Sequence, residues 1–313
     1  MSEMIIHEEP NRCFIDPNAP KKRRNTMPNH IYHAEEHHLS SSDLKTILRS
    51  PMHWKHGKDN PEEKKKSAVM VFGSAFHTAL LEPNLFDKEF VVAPKFDART
   101  KDGKAAKAEW ESKNQGRTYI SQPEVDKITE MKRSVLANPY VLDLLSSGTA
   151  EASFFTHLNT QLIGDDGDWT PIKVKCRPDF LRKDYTYVSV KTADNASPEE
   201  FARVCAKFKY DLSEAFYLDI LSQFAKRQLR KVYMLVVEKD PPFAHIIYKC
   251  PEEFIAEGRH KYRKALKKYL YSLRSERFQG YEIDSTDKDG TLDVKLPGYG
   301  FDNVLFDKSF KQF

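Results

Sequence analysis

The chain has 313 residues, of which 40% are hydrophobic and 31% charged, and a net charge of +4. That length suits one large α/β domain or two small ones with a substantial core, and so modest a net charge does not by itself name a nucleic-acid partner. No apolar run approaches the ~18 residues of a membrane span, the start "MSEMIIHEEP" lacks the basic and apolar regions of a secretion signal, and the four scattered cysteines (Cys13, Cys176, Cys205, Cys250) fit reduced thiols in a cytosolic protein rather than a clustered metal site.

Residues 1–28 carry three prolines before the basic run "KKRR" at 21–24, which predicts a disordered, solvated tail. Order is expected from "IYHAEEHHLSSSDLKTILRSP". There a serine among 40–42 caps a helix bearing Leu44, Ile47 and Leu48, and Pro51 stops it. A Lys-rich loop, "GKDNPEEKKKS", leads to a second helix in "AVMVFGSAFHTALLEP", with Phe72, Phe76, Ala79 and Leu80 on its apolar face. Residues 94–117 predict a mobile connection with a short helix. A further helix carries Val125, Ile128, Met131 and Val135, and "PYVLDLLSSG" adds a short one.

The period then changes. "TAEASFFTHL", "IKVKCRPDFL" and "YTYVSVKT" are rich in β-branched and aromatic residues and separated by turn formers, which predicts a strand meander. Two helices follow ("SPEEFARVCAKF", "DLSEAFYLDILSQFAKR"), then two strands ("KVYMLVVE", "FAHIIYKC") and a long helix over about 251–274, acidic at its start and basic at its end. The fold class is therefore α/β: a central mixed sheet flanked by helices, with an N-terminal helical region. Residues 29–279 form one domain with its core at about 149–274, and 280–313 are a turn-rich tail.

Strand alternation places Tyr185, Tyr187, Ser189 and Lys191 on one face and Val188 and Val190 on the other. Lys191 then projects beside position 189, where a carboxylate would complete a D/E-x-K pair that holds a metal next to an ammonium. Asp179 ends the preceding strand and Glu151 starts the one before, so both can converge there. One or two carboxylates suffice for Mg²⁺, which keeps waters and substrate phosphates. Gly73 and His77 are four apart and share a helix face, with the glycine allowing close approach and the histidine reaching a cleft. Singly, each residue is an ordinary structural one. Their order and strand context together point to a nuclease site.

With these residues in view, the chain resembles the RecE-type phage recombination exonucleases of the PD-(D/E)XK superfamily, which are related to the RecB nuclease domain. The resemblance runs from about Tyr32 to Leu273 through "YHA", the Ser-x-Leu…Ser-Pro helix, "FGSAFHTALLEP", "FVVAP", "AEAS", "CRPD", "VKT" and "EAFYLDI". It implies an Mg²⁺-dependent enzyme (Mn²⁺ also serving) of the bacterial or phage-infected cytoplasm. Such an enzyme degrades the 5′ strand of linear duplex DNA and leaves 3′ single-stranded ends for recombination or repair. It also implies a ring-shaped tetramer and a single-strand annealing partner. By motif, Glu151 and Asp179 would be metal ligands, Lys191 and His77 catalytic, and Arg177 and Tyr217 supporting residues.

The sequence departs from the pattern at Ser189, where the family has Asp, and at Ser213, where it usually has Gln four before Tyr217. Asp194 is a conceivable substitute ligand beyond the strand, and "DVK" at 293–295 is a coincidence. Two readings compete: an active nuclease with a trimmed site, or a degenerate homologue that binds DNA ends or a protein partner. The "KKKS" loop, residues 95–107 and the basic half of the last helix are candidate phosphate contacts.

Overall fold

A computed structural model describes residues 19–61, 67–97, 99–158, 171–285 and 289–294. The chain opens with β1 (Lys22–Arg24) and α1 (Asn29–Ala34). Ser40 caps α2 (Ser41–Arg49) in a capping box: the Asp43 N–H donates to the Ser40 hydroxyl, and the Asp43 carboxylate accepts from the Ser40 N–H at 2.9 Å. Ser50 ends that helix and caps α3 (Pro51–Asp59), so Pro51 opens a helix at the position where a proline loses nothing. Next come α4 (Ala68–Leu81), α5 (Pro83–Glu89), β2 (Phe90–Val92), α6 (Lys101–Lys113), β3 (Thr118–Ile120), α7 (Gln122–Leu136) and α8 (Pro139–Leu144). β2 and β3 pair in parallel. Between them α6 is a 13-residue helix capped by Thr100, longer than the sequence implied.

The second half runs β4 (Gly148–Ala150), β5 (Ser153–Leu158), β6 (Ile172–Cys176), β7 (Phe180–Arg182), β8 (Tyr187–Ala193), α9 (Pro198–Phe208), α10 (Tyr210–Ala225), β9 (Val232–Glu238), β10 (His245–Lys249) and α11 (Glu252–Ser275). A five-stranded sheet has the order β10-β9-β8-β7-β4, with β8 and β9 parallel and the other neighbours antiparallel. The core divides along its strand alternation. Tyr187, Val232, Met234 and Val236 pack with residues of α2, α9, α10 and α11 on one face. Val188, Val190, Leu235 and Val237 pack with α4, α7 and α8 on the other. The molecule is thus a mixed α/β fold with helices on both faces of its central sheet.

The meander expectation needs correction. "TAEASFFTHL" and "IKVKCRPDFL" are each broken in two. β4 and β7 belong to the five-stranded sheet, whereas β5 and β6 form a separate three-stranded sheet with β1. The basic run also departs from a solvated tail. Its side chains are exposed, but the backbone of Lys22–Arg24 pairs antiparallel with β5, and the Arg23 guanidinium lies 5.2 Å from the Phe154 ring centroid. Pairing fills the open hydrogen-bonding edge of β5, which patterning does not reveal.

The basic end of α11 is partly withdrawn from any phosphate: Lys264 and Lys268 bond Asp284 at 2.9 and 2.6 Å, and Tyr262 is buried. The expected close approach at Gly73 is mild, since an added Cβ would lie 3.7 Å from Thr192 Oγ1. The tight crossing is at Gly258, where a Cβ would stand 2.0 Å from the Asp211 carbonyl oxygen and push α11 off α10. Residues 62–66, which hold most of the "KKKS" loop, and Lys295 lie outside the described residues, as do 1–18. Among the described residues, no helix is long and apolar enough to cross a membrane.

Candidate active site

The chain passes between the two sheets twice, once between β4 and β5 and once between β6 and β7, and those crossings build the site. At the first, Glu151 adopts φ 49°, a left-handed conformation that a non-glycine residue rarely holds. Its N–H donates to the Asp179 carbonyl at 3.1 Å, across to the second crossing. The two carboxylates are therefore set side by side by backbone geometry.

β7 is short, and β8 runs past its end. The Val190 N–H consequently donates to Asp179 Oδ2 at 2.7 Å. That bond fixes Asp179 on the rim of β8, beside the face that carries Ser189 and Lys191. The Ser189 hydroxyl lies 3.3 Å from Asp179 Oδ2 and 3.0 Å from Glu214 Oε1. Lys191 Nζ donates to Ser189 Oγ and stands 3.7 Å from Asp179 and 3.8 Å from Glu214. Burial opposes the charge on Lys191, but the Asp179 and Glu214 carboxylates outweigh it and hold the ammonium above the ordinary lysine range.

His77 of α4 completes the group, with Nδ1 3.7 Å from Asp179 Oδ1. Burial, and Lys191 nearby, push its imidazole below its ordinary pKa, so it is neutral near pH 7 with a nitrogen lone pair to offer. One ligand atom each from His77, Glu151 and Asp179 lies within 4.8 Å of the others. Glu151 is pushed well above the ordinary carboxyl range by burial first and then by the Asp179 charge, with Arg177 opposing. Two adjoining carboxyl groups and a neutral imidazole make an oxygen and nitrogen donor set, and such a set fits a divalent cation.

A pH dependence follows. A carboxyl raised in the folded state contributes stability that is full below its ordinary 4.5 and lost as pH rises through the folded value. A cation competes with that proton. Mn²⁺ is therefore expected to raise the melting temperature more at pH 8 than at pH 5, as measured by differential scanning fluorimetry against EDTA.

The other sequence-selected residues divide. Arg177 supports the site by holding structure. Its guanidinium donates to Ser153 Oγ at 2.9 Å and to the Met27 carbonyl at 2.6 Å, and its Nε lies 4.0 Å from Glu151 Oε2. Tyr217 borders the cleft and packs 5.9 Å from the Tyr187 ring. Ser213 is half-buried, and the site contact comes from the next residue, Glu214. Asp194 pairs with Lys239 at 2.5 Å and does not join His77, Glu151 and Asp179.

Sequence reasoning missed Glu214 and Lys45. Glu214 shares the inward stripe of α10 with Leu218 and Ser222, where a core wants apolar residues, and that misfit was the available signal. Lys45 of α2 is brought down to about 8 by burial first and then by Lys191; both ammonium groups lie against the Tyr210 ring.

The site opens on a cleft of about 880 Å³, walled by Asn25–Asn29, by α4 and α5 with Glu82 and Glu89, and by Glu151 and Asp179. Lys191 on β8, Glu151 and Asp179 at the two sheet crossings and helix-borne His77 on a mixed sheet define a member of the PD-(D/E)XK nuclease superfamily. Residues 40–282 match the PDDEXK-like domain of unknown function (DUF3799), and the chain belongs to that family. A solved structure of a candidate exonuclease from Eubacterium rectale superposes with a TM-score of 0.57 at 13% identity, covering 91% of this chain and 99% of that one. A second, SSO0001, reaches a TM-score of only 0.25 at 10% identity over 79% of this chain and 95% of its own. No curated protein sequence matches the chain.

Proposed function

We propose that this protein is a divalent-metal-dependent exonuclease acting on the ends of linear duplex DNA. One observation carries the reading: donor atoms of His77, Glu151 and Asp179 meet within 4.8 Å, and the Lys191 ammonium stands 3.7 Å from Asp179. Those three residues would hold the ion, which when bound supplies Lewis-acid polarisation of a phosphate oxygen and an acidified water. Lys191 is held charged beside them, placed to neutralise charge that grows on the phosphate. The Val190 N–H keeps Asp179 aimed at the cleft. Removal of the 5′ strand, a ring-shaped tetramer and a partner that anneals single strands extend the proposal on the strength of the RecE-type resemblance.

The test uses linear duplex labelled at either end and covalently closed circular duplex, with Mg²⁺, Mn²⁺ or EDTA. We expect ion-dependent loss of the linear DNA, earliest release of the 5′ label and an intact circle. Equal cutting of the circle, or no cutting with any ion, would overturn the proposal. Tight end binding without cutting would instead support the degenerate-homologue reading that Ser189 invites.

A further inference from the structure

Position 189 lacks the carboxylate that a D/E-x-K pair requires, yet its surroundings do not lack one. Ser189 is fully buried, and its hydroxyl lies between two carboxylates, 3.3 Å from Asp179 Oδ2 and 3.0 Å from Glu214 Oε1. Glu214 comes from α10, is 1% exposed and reaches within 3.8 Å of Lys191 Nζ. Its second oxygen, Oε2, has no hydrogen-bond partner. A buried carboxylate with an unfilled oxygen is expensive to keep in a core, and a methionine or leucine would fill the same space without that penalty.

We propose that Glu214 is a relocated site carboxylate, a positioning residue that does from α10 what an aspartate at 189 would do from β8. Through Ser189 it fixes the Lys191 ammonium beside Asp179. This deepens the nuclease reading and rests on it for its functional part. The geometry also explains why residue 189 is small and neutral. An aspartate there would extend past the Ser189 oxygen into the space between Glu214 and Asp179. Three carboxylates would then crowd one ammonium, and at least one would have to take up a proton.

Glu214 is not one of the three residues whose donor atoms cluster for an ion. Its partners are Lys191 and Ser189. From Asp179 it is separated by the Ser189 side chain, so its action on the reaction runs through Lys191. The relation with position 189 is one of exchange: either residue can carry the charge, and both together are worse than one.

The test is an exchange of the two positions, read in two ways: Ser189→Asp, Glu214→Gln and the double variant Ser189→Asp/Glu214→Gln. In EDTA, where no ion or DNA takes part, each single variant is expected to melt several degrees below wild type and the double variant close to it. Additive melting shifts would overturn the proposal whether or not the protein cuts DNA. With Mg²⁺ and saturating DNA, Glu214→Gln is expected to cleave about 10–100-fold more slowly at little-changed KM, and the double variant to return to within about threefold of wild type. A merely structural Glu214 would not be rescued by a carboxylate on another element. Wild-type cleavage by Glu214→Gln, or a gain of activity in Ser189→Asp with Glu214 in place, would overturn it. Failure of wild type itself to cleave would count against the nuclease reading and leave the melting result to decide the exchange.

Discussion

Asp179→Asn is expected to slow DNA cleavage by roughly 10³-fold, a loss of about 4 kcal/mol of transition-state stabilisation. Asp179 is the hub of the site. Its carboxylate accepts the Val190 N–H at 2.7 Å, contacts Lys191 and His77, and belongs to the group that can hold a cation. The amide keeps the shape, and its oxygen can still accept from Val190. What goes is the charge that draws a cation and anchors the Lys191 ammonium. The fold should survive, because the Glu151 carboxyl loses the charge that raises it. The checks are single-turnover cleavage of a labelled duplex, melting in EDTA, and melting with Mn²⁺. The variant should melt near wild type without the ion and gain little with it. Cleavage within tenfold of wild type would remove Asp179 from the site.

Asp219→Ala is expected to destabilise the protein by about 3–5 kcal/mol, the usual result of removing one side of a buried ion pair. Asp219 of α10 and Arg259 of α11 are 4% and 2% exposed, respectively. The guanidinium makes bonds of 2.7–3.1 Å to both carboxylate oxygens, and the Tyr262 hydroxyl adds one of 2.6 Å. This clamp fixes α10 against α11 five residues from Glu214, so it also sets how far Glu214 reaches toward β8. Loss of the carboxylate leaves the guanidinium in a core with its counter-charge gone. Urea titration should show a lower midpoint. The apolar pair Asp219→Leu/Arg259→Met should recover most of the loss, since no buried charge remains. A midpoint for Asp219→Ala within experimental scatter of wild type would show that the clamp contributes nothing.

Much of the site was legible because it obeys short-range rules. The period-2 alternation of "YVSVK" puts Ser189 and Lys191 on one face of β8 whatever surrounds it, and the structure keeps Val188 and Val190 in the opposite core layer. Helix α4 and its inward His77 follow from apolar spacing, and α2 from Ser40 and Asp43. Two features were not legible. The breaks at Glu151 and Arg177–Asp179 fall inside runs with strand composition. A change of sheet leaves little mark on composition, and only a left-handed φ at Glu151 reveals it. The pairing of "KKRR" with β5 spans about 130 residues of sequence, and a charged strand carries no apolar pattern to announce it.

Sequence alone therefore determined the class of fold, the strand face bearing Ser189 and Lys191, and the vacancy left by serine at 189. These are matters of residue type and local period. Tertiary structure decided whether that vacancy matters, because α10 lies next to β8 only once the sheet and helices have packed. Glu214 is 25 residues from Ser189 along the chain and 3.0 Å from it in space. Charge in a buried site adds by distance, not by sequence position, so only the packed chain shows that a second carboxylate, besides Asp179, reaches Lys191.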